Sequence, residues 1–138
     1  MSEEVHVGAE LPELRIEVTP TFVISTAIAT RDFQDVHHDR DAAVARGGKD
    51  IFVNILTTTG LVQRYVTEWA GPEALVRGVA IRLGDPCYAY DTLVLSGQVT
   101  ERVEEAGETR FVVRVVGRNS LGDHVTGTVR IAPPEVTR

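Results

Sequence analysis

The chain has 138 residues, 43% of them hydrophobic and 25% charged, with a formal net charge of −6. These values describe one globular domain over residues 1–138 and exclude a disordered chain, a collagen-like repeat and a coiled coil. The acidic balance argues against nucleic acid or an anionic membrane as partner, and no apolar run approaches the ~18 residues that cross a bilayer.

The first residues, Met1-Ser2-Glu3-Glu4, are acidic, the wrong charge for the start of a signal peptide. The expected location is therefore the cytoplasm, and Ser2 to Gly8 reads as a loose end. Leu11 to Val18 is expected to be the first strand. Thr19-Pro20 then supplies an N-cap followed by proline at the first helical position. A short helix over Thr21 to Thr30 is preferred, although Phe22, Val23, Ile24 and Ile28 would also suit a strand. Asp39 reads as the cap of another short helix, Arg40 to Arg46, which Gly47-Gly48 stops.

The longest predicted helix is Ile51 to Trp69. Apolar residues recur at 51, 55, 62, 66 and 69, with Thr58 or Thr59 filling the missing turn. Phe52, Leu56, Leu61 and Tyr65 widen the stripe until little polar face remains. The helix is therefore expected to be buried, Ile55, Val62 and Val66 included. Thr57-Thr58-Thr59-Gly60 is poor helix chemistry and suggests a place where something approaches the backbone closely. Gly71-Pro72 ends the element.

Beyond it the reading changes to strands. The whole sequence holds 21 Val, 14 Thr and 7 Ile, residues whose stiff χ1 suits a pleated surface. Strands are expected over Leu75 to Leu83, Thr92 to Val103, Thr109 to Arg118 and Val125 to Ile131. Gly84-Asp85-Pro86, Ala106-Gly107 and Leu121-Gly122-Asp123 supply the turns, and the tail after Pro133-Pro134 is loose. Cys87 is the single cysteine, which excludes an internal disulfide; it reads as a small packed residue. One long antiparallel sheet curled around one buried central helix is an α+β layer arrangement, the hotdog architecture.

The chemistry concentrates in Arg31-Asp32-Phe33-Gln34-Asp35-Val36-His37-His38-Asp39, between two proposed helices. A carboxylate and an imidazole five positions apart on a loop can converge on one water molecule, and histidine titrates near neutral pH. The same spacing also suits plain structure, with Asp35 and Asp39 as caps, His38 in solvent and Asp32 orienting the turn. His6 lies in the loose end. His124, in a turn entering the last strand, reads as structural.

These residues carry a resemblance. The stretch is similar to the motif of the MaoC-like, R-specific enoyl-CoA hydratases, roughly S-G-D-x-N-P-[IL]-H-x-D followed by a short helix with alanines. Asp32 matches the motif's aspartate, Val36 its aliphatic residue, His37 its histidine and Asp39 its last aspartate, while Ala42 and Ala43 fall where the helix alanines do. The similarity runs from about Leu11 to Ile131. It is greatest with the small subunit of actinobacterial hydratases that act on steroid side-chain enoyl-CoA thioesters. The specific stretches are Ala29 to Asp39, Asp50-Ile51-Phe52-Val53-Asn54-Ile55-Leu56-Thr57, Val115-Val116-Gly117-Arg118-Asn119 and Leu121-Gly122-Asp123-His124-Val125. Two departures stand out: Gln34-Asp35 replaces the motif's Asn-Pro, and Val53-Asn54 stands where the family has His-Gly.

The resemblance implies a single hotdog domain that adds water across a trans-2-enoyl-CoA double bond. Asp32 and His37 would be the catalytic pair, holding one water and exchanging protons with C3-bound oxygen and C2. The backbone N–H of Asn54, at the helix start, would face the thioester oxygen. No metal or redox cofactor is implied; coenzyme A belongs to the substrate. The implied partner is a second MaoC-like hotdog subunit that lacks the pair and shapes the acyl pocket, in an α2β2 assembly. For the CoA phosphates, Arg46, Lys49, Arg64, Arg77, Arg82 and Arg118 are all available. Two alternatives share the fold: a hotdog acyl-CoA thioesterase and a non-catalytic hotdog subunit.

Overall fold

Five antiparallel strands form one sheet: β1 (Glu10–Glu17), β2 (Leu75–Leu83), β3 (Thr92–Glu105), β4 (Glu108–Asn119) and β5 (Gly122–Ala132). Their spatial order is β1-β3-β4-β5-β2. The computed structural model describes residues 5–134, so most of the two ends expected to be loose, 1–4 and 135–138, lie outside the described residues. The stretch up to Gly8 is less free than expected. Gly8 N–H donates to the Val99 carbonyl at 2.8 Å, and Val99 N–H to that of Ala9 at 2.9 Å, extending the β1–β3 ladder.

Ala106 and Gly107 close the β3–β4 hairpin with φ of 53° and 73°, the pair of positive values that matches the right-handed twist of the strands. The passage from β2 to β3 is not a hairpin. β2 pairs with β5 at one edge, and residues 84–91 carry the chain to β3 beside β1. Alternate residues then face one side. Leu93 and Leu95, Val113 and Val115, and Val129 and Ile131 are all buried. Gly97 extends the Leu93–Leu95 row, and a Cβ there would lie 3.1 Å from the Tyr65 ring. That ring is anchored by its hydroxyl, which donates to the Pro12 carbonyl at 2.7 Å. Burial pushes the Tyr65 phenol up to about 12.

Among the described residues there are also three α-helices: α1 (Pro20–Ala29), α2 (Arg40–Ala45) and α3 (Ile55–Ala70). Thr19 caps α1 by accepting from Phe22 N–H at 3.0 Å, so the helical reading of this segment holds over the strand. Asp39 caps α2 through Ala42 N–H at 3.1 Å. Helix α3 touches both edge strands, β1 and β2, as well as β5, which a flat sheet could not offer to one helix; the sheet curls around it. Leu61, Val62, Tyr65, Val66 and Ala70 form its buried face.

Two expectations for α3 are corrected. Ile51 to Val53 is extended rather than helical: Val53 N–H donates to the Cys87 carbonyl at 3.0 Å and Ala89 N–H to that of Ile51 at 3.0 Å. Asn54, with ψ of 161°, is the N-cap at which the helix begins. Nor is the helix buried all round. Ile55 is 52% exposed and Leu56 53%, so the first turn presents two large apolar side chains to the surface. A Cβ on Gly60 would meet open space, so nothing in the chain approaches the backbone there.

Candidate active site

The loop after α1 is set by a Schellman ending. Asp32 N–H donates to the Ala27 carbonyl at 2.9 Å and Arg31 N–H to that of Ile28 at 3.0 Å. The residue between the C-cap Thr30 and Asp32 must take the left-handed conformation, and Arg31 does so at φ 59°. Helix α2 ends the same way with Gly47, at φ 94°, in that place. A side chain with a Cβ costs roughly 1 kcal/mol more there than glycine. What that strain fixes is the direction in which Asp32 leaves the helix.

His37 sits in a 3-10 turn over Asp35–His37 and is buried. Its Nδ1 lies 2.7 Å from the Phe52 carbonyl oxygen. A carbonyl only accepts, so Nδ1 carries a proton and donates, which leaves Nε2 as the nitrogen turned toward the loop. That nitrogen faces Asp32 Oδ2 at 3.4 Å. Here the extended stretch 51–53 matters, because it aims the Phe52 carbonyl at the imidazole. The Phe52 ring packs edge-on against His37, with centroids 4.8 Å apart. Asp32 keeps 20% of its side chain exposed, so the pair opens outward on the carboxylate side.

The third predicted residue joins them. Asn54 is buried, and its Nδ2 donates to Asp32 Oδ2 at 3.2 Å and to Thr30 Oγ1 at 2.8 Å. Its Oδ1 accepts from the Thr57 hydroxyl. Thr30 and Thr57 were not anticipated. The threonine run at the start of α3 was the available signal, but it pointed to the backbone rather than to side chains. Asp35 stands outside the site, paired with Arg46 at 3.0 Å, and His38 and His6 are exposed.

His124 has a structural place. It is buried, with Nδ1–H donating to the Asp85 carbonyl at 2.7 Å and Nε2 accepting from Thr58 Oγ1 at 2.8 Å. Gly84 allows the strands to close here, since a Cβ would lie 2.3 Å from the Asp123 carbonyl oxygen. Burial holds the ring below its ordinary value of 6.5, against the Asp85 carbonyl and charge, which favour the proton. The unfolded chain therefore binds this proton more readily than the folded one. The stability it contributes is complete above pH 6.5 and is lost as pH falls below that value toward the depressed folded one. The melting temperature should drop on acidification from pH ~7.5, and His124→Gln should flatten that slope while lowering the starting value. An unchanged slope would contradict the assignment. Cys87 is fully buried, and burial pushes its thiol up to about 11, which keeps it unreactive.

Four of the six cations considered for CoA are committed elsewhere: Arg46 to Asp35, Arg64 to Glu68, Arg77 to Glu108 and Arg118 to Asp123. Lys49 and Arg82 have no carboxylate partner among the described residues. Among those residues, no group of three or more His, Cys, Asp or Glu is placed to hold a metal ion. No helix is long and apolar enough to cross a membrane.

A curled antiparallel sheet around a central helix defines a hotdog protein, with a carboxylate facing an imidazole beside that helix's N-terminus. The chain is 64% identical over 126 residues to the 3-oxo-4,17-pregnadiene-20-carboxyl-CoA hydratase beta subunit of Mycobacterium tuberculosis, across 91% of this chain and 95% of that protein. It matches a chain in the crystal structure of the ChsH1-ChsH2 complex from Mycobacterium tuberculosis with a TM-score of 0.88 and 62% identity, covering 95% of this chain and 100% of that one. The unliganded R-hydratase PhaJ1 from Pseudomonas aeruginosa shares the fold, with a TM-score of 0.82 and 22% identity over 98% of this chain and 90% of that one. No protein-family model matches the sequence. The chain belongs to the family of that CoA hydratase beta subunit.

Proposed function

We infer that this protein is the subunit carrying the acid–base pair in a hetero-oligomeric hydratase that adds water across the double bond of a steroid side-chain enoyl-CoA thioester. The observation that carries the reading is the approach of His37 Nε2 to Asp32 Oδ2 at 3.4 Å, with the ring oriented through Nδ1 by the Phe52 carbonyl. In the neutral ring, Nε2 and Asp32 Oδ2 are both acceptors, and a single water donating one hydrogen to each is the partner both require. As its oxygen attacks C3, the pair takes one proton and returns one to C2. The negative charge growing on the thioester oxygen meets the Asn54 backbone N–H and the donor-rich start of α3, whose first N–H groups receive no side-chain cap from Asn54. The chemistry uses these groups alone, with coenzyme A as part of the substrate and no further cofactor. It takes place in the cytoplasm, in one domain spanning residues 1–138.

The steroid class is supported by the name of the 64%-identical relative, and the assembly by its designation as a beta subunit and by the two-component complex that holds the 62%-identical one. The apolar Phe33, Ile55 and Leu56, exposed next in sequence to Asp32 and Asn54, fit a pocket completed by a second hotdog subunit in an α2β2 arrangement. The test is loss of enoyl absorbance from a steroid side-chain enoyl-CoA, with the chain alone and co-expressed with a second MaoC-like subunit. The complex should exceed the isolated chain in kcat/KM by at least ~10-fold, since a half-formed pocket positions the acyl group poorly. Equal turnover would replace the hetero-oligomer with a homodimer. Release of free thiol without hydration would replace the hydratase with a thioesterase.

A further inference from the structure

We propose that the Asn54 side-chain amide is a positioning residue for the hydration: it holds the Asp32 carboxylate facing His37, and Thr57 holds the amide in turn. This rests on the reading of Asp32 and His37 given above. It concerns the Asn54 side chain and is separate from any part its backbone N–H plays toward the thioester.

Asp32 is otherwise loosely held. It lies beyond the end of α1, and its Oδ1 receives only the Gln34 N–H, at 3.4 Å, long for a hydrogen bond. Its Oδ2, the oxygen that faces His37, receives the Asn54 amide at 3.2 Å. One N–H filling one lone-pair direction of Oδ2 leaves the other for a water shared with Nε2. Without that N–H the carboxylate is free to rotate about χ2 and turn either oxygen elsewhere.

The orientation of the amide is dictated by its partners. A carboxylate accepts only, so the NH2 end must face Asp32. Its second hydrogen goes to Thr30 Oγ1 at 2.8 Å, whose own hydrogen goes to the Thr26 carbonyl at 2.8 Å. The carbonyl end accepts from the Thr57 hydroxyl, on the first turn of α3. Rotating the amide by 180° would set Oδ1 against two acceptors and Nδ2 against the Thr57 hydroxyl. Asn54 thus ties three elements together: the end of α1, the loop carrying Asp32 and the start of α3. The departure from the family's His-Gly gains a purpose here, because glycine at 54 would leave Asp32 without this donor.

The experiment uses the co-expressed complex and the steroid side-chain enoyl-CoA as probe, with kcat and KM measured separately. Asn54→Leu, which keeps the volume and the backbone N–H, should lower kcat by at least ~30-fold with little change in KM, the size expected of a misplaced catalytic group. Thr57→Val, which removes the clamp on the amide without altering shape, should cost kcat about 3–10-fold, and Thr57→Ser should restore it. A purely structural role would lower the melting temperature in Thr57→Val yet leave kcat per folded site intact, and that result overturns the proposal. So does an Asn54→Leu complex with wild-type kcat while Asp32→Asn is inactive. If Asn54→Leu does not fold, the Thr57 pair decides: equal kcat in Val and Ser variants refutes the positioning role, and the ordered loss and recovery supports it. If instead Asp32→Asn itself retains full activity, the underlying assignment of the acid–base pair falls, and this inference with it.

Discussion

Asp32→Asn and His37→Gln are each expected to lower kcat for enoyl-CoA hydration by at least ~10²-fold with little change in melting temperature. Each substitution removes one of the two groups that the proposed mechanism uses to exchange protons with the shared water. Asparagine keeps the shape of Asp32 and can still accept the Asn54 amide, but it carries no charge and takes no proton at neutral pH. Glutamine at 37 loses the ring nitrogen Nε2 that faces Asp32 Oδ2 at 3.4 Å. On the proposed mechanism the two groups hold one water, so loss of either releases it, and the double variant should be scarcely slower than either single one. Folding should tolerate the change at 32, since Asp32 is only half-buried and the backbone around it is fixed by hydrogen bonds to Ala27 and Ile28 that the side chain does not make; at 37, glutamine keeps an N–H donor for the Phe52 carbonyl. Additive losses would mean that the residues act separately, and near-wild-type turnover in either single variant would remove that residue from the chemistry.

Much of the architecture was legible because two signals agreed in the later strands. In β4 the buried Val113 and Val115 flank exposed Arg114, and glycine-bearing turns separate β3 from β4 and β4 from β5. The start of α3 was misplaced for a definable reason. Buried Ile51 and Val53 follow a strand period, yet Ile51 and Ile55 are also four apart, so the helical pattern ran on into extended chain. The exposure of Ile55 and Leu56 was equally hidden, since an apolar side chain reads as buried whether its cover comes from its own chain or another. In the site, the Asp32–His37 spacing alone did not separate chemistry from helix capping; only the resemblance favoured chemistry. Two contacts had no sequence signal at all. A carbonyl such as that of Phe52 is present at every position, and nothing in Asn54 announces that its amide reaches residues 22 and 24 positions earlier.

Val62→Asp should destabilise the fold by several kcal/mol, enough to leave most of the chain unfolded at 37 °C given a typical total of roughly 5–15 kcal/mol. Val62 is fully buried on the face of α3 that the curled sheet encloses. A carboxylate there would lose water and find no cation: the ion pairs of the described residues involve side chains that are at least partly exposed or lie at the Asp32–His37 pair. Leu56→Asp, six residues earlier on the same helix, makes the same chemical change at a site that is 53% exposed. In the isolated chain its cost should stay within ~0.5 kcal/mol, as for other surface substitutions. Thermal melts of the two variants thus test the enclosure of α3 by the sheet: a Val62→Asp protein with an unchanged, cooperative midpoint would mean the helix is not enclosed. Leu56→Asp also probes the assembly, because a second subunit seated over the first turn of α3 would bury the new charge. Loss of co-purification with that subunit, in a chain that melts normally by itself, is the outcome expected if the exposed turn is covered in the complex.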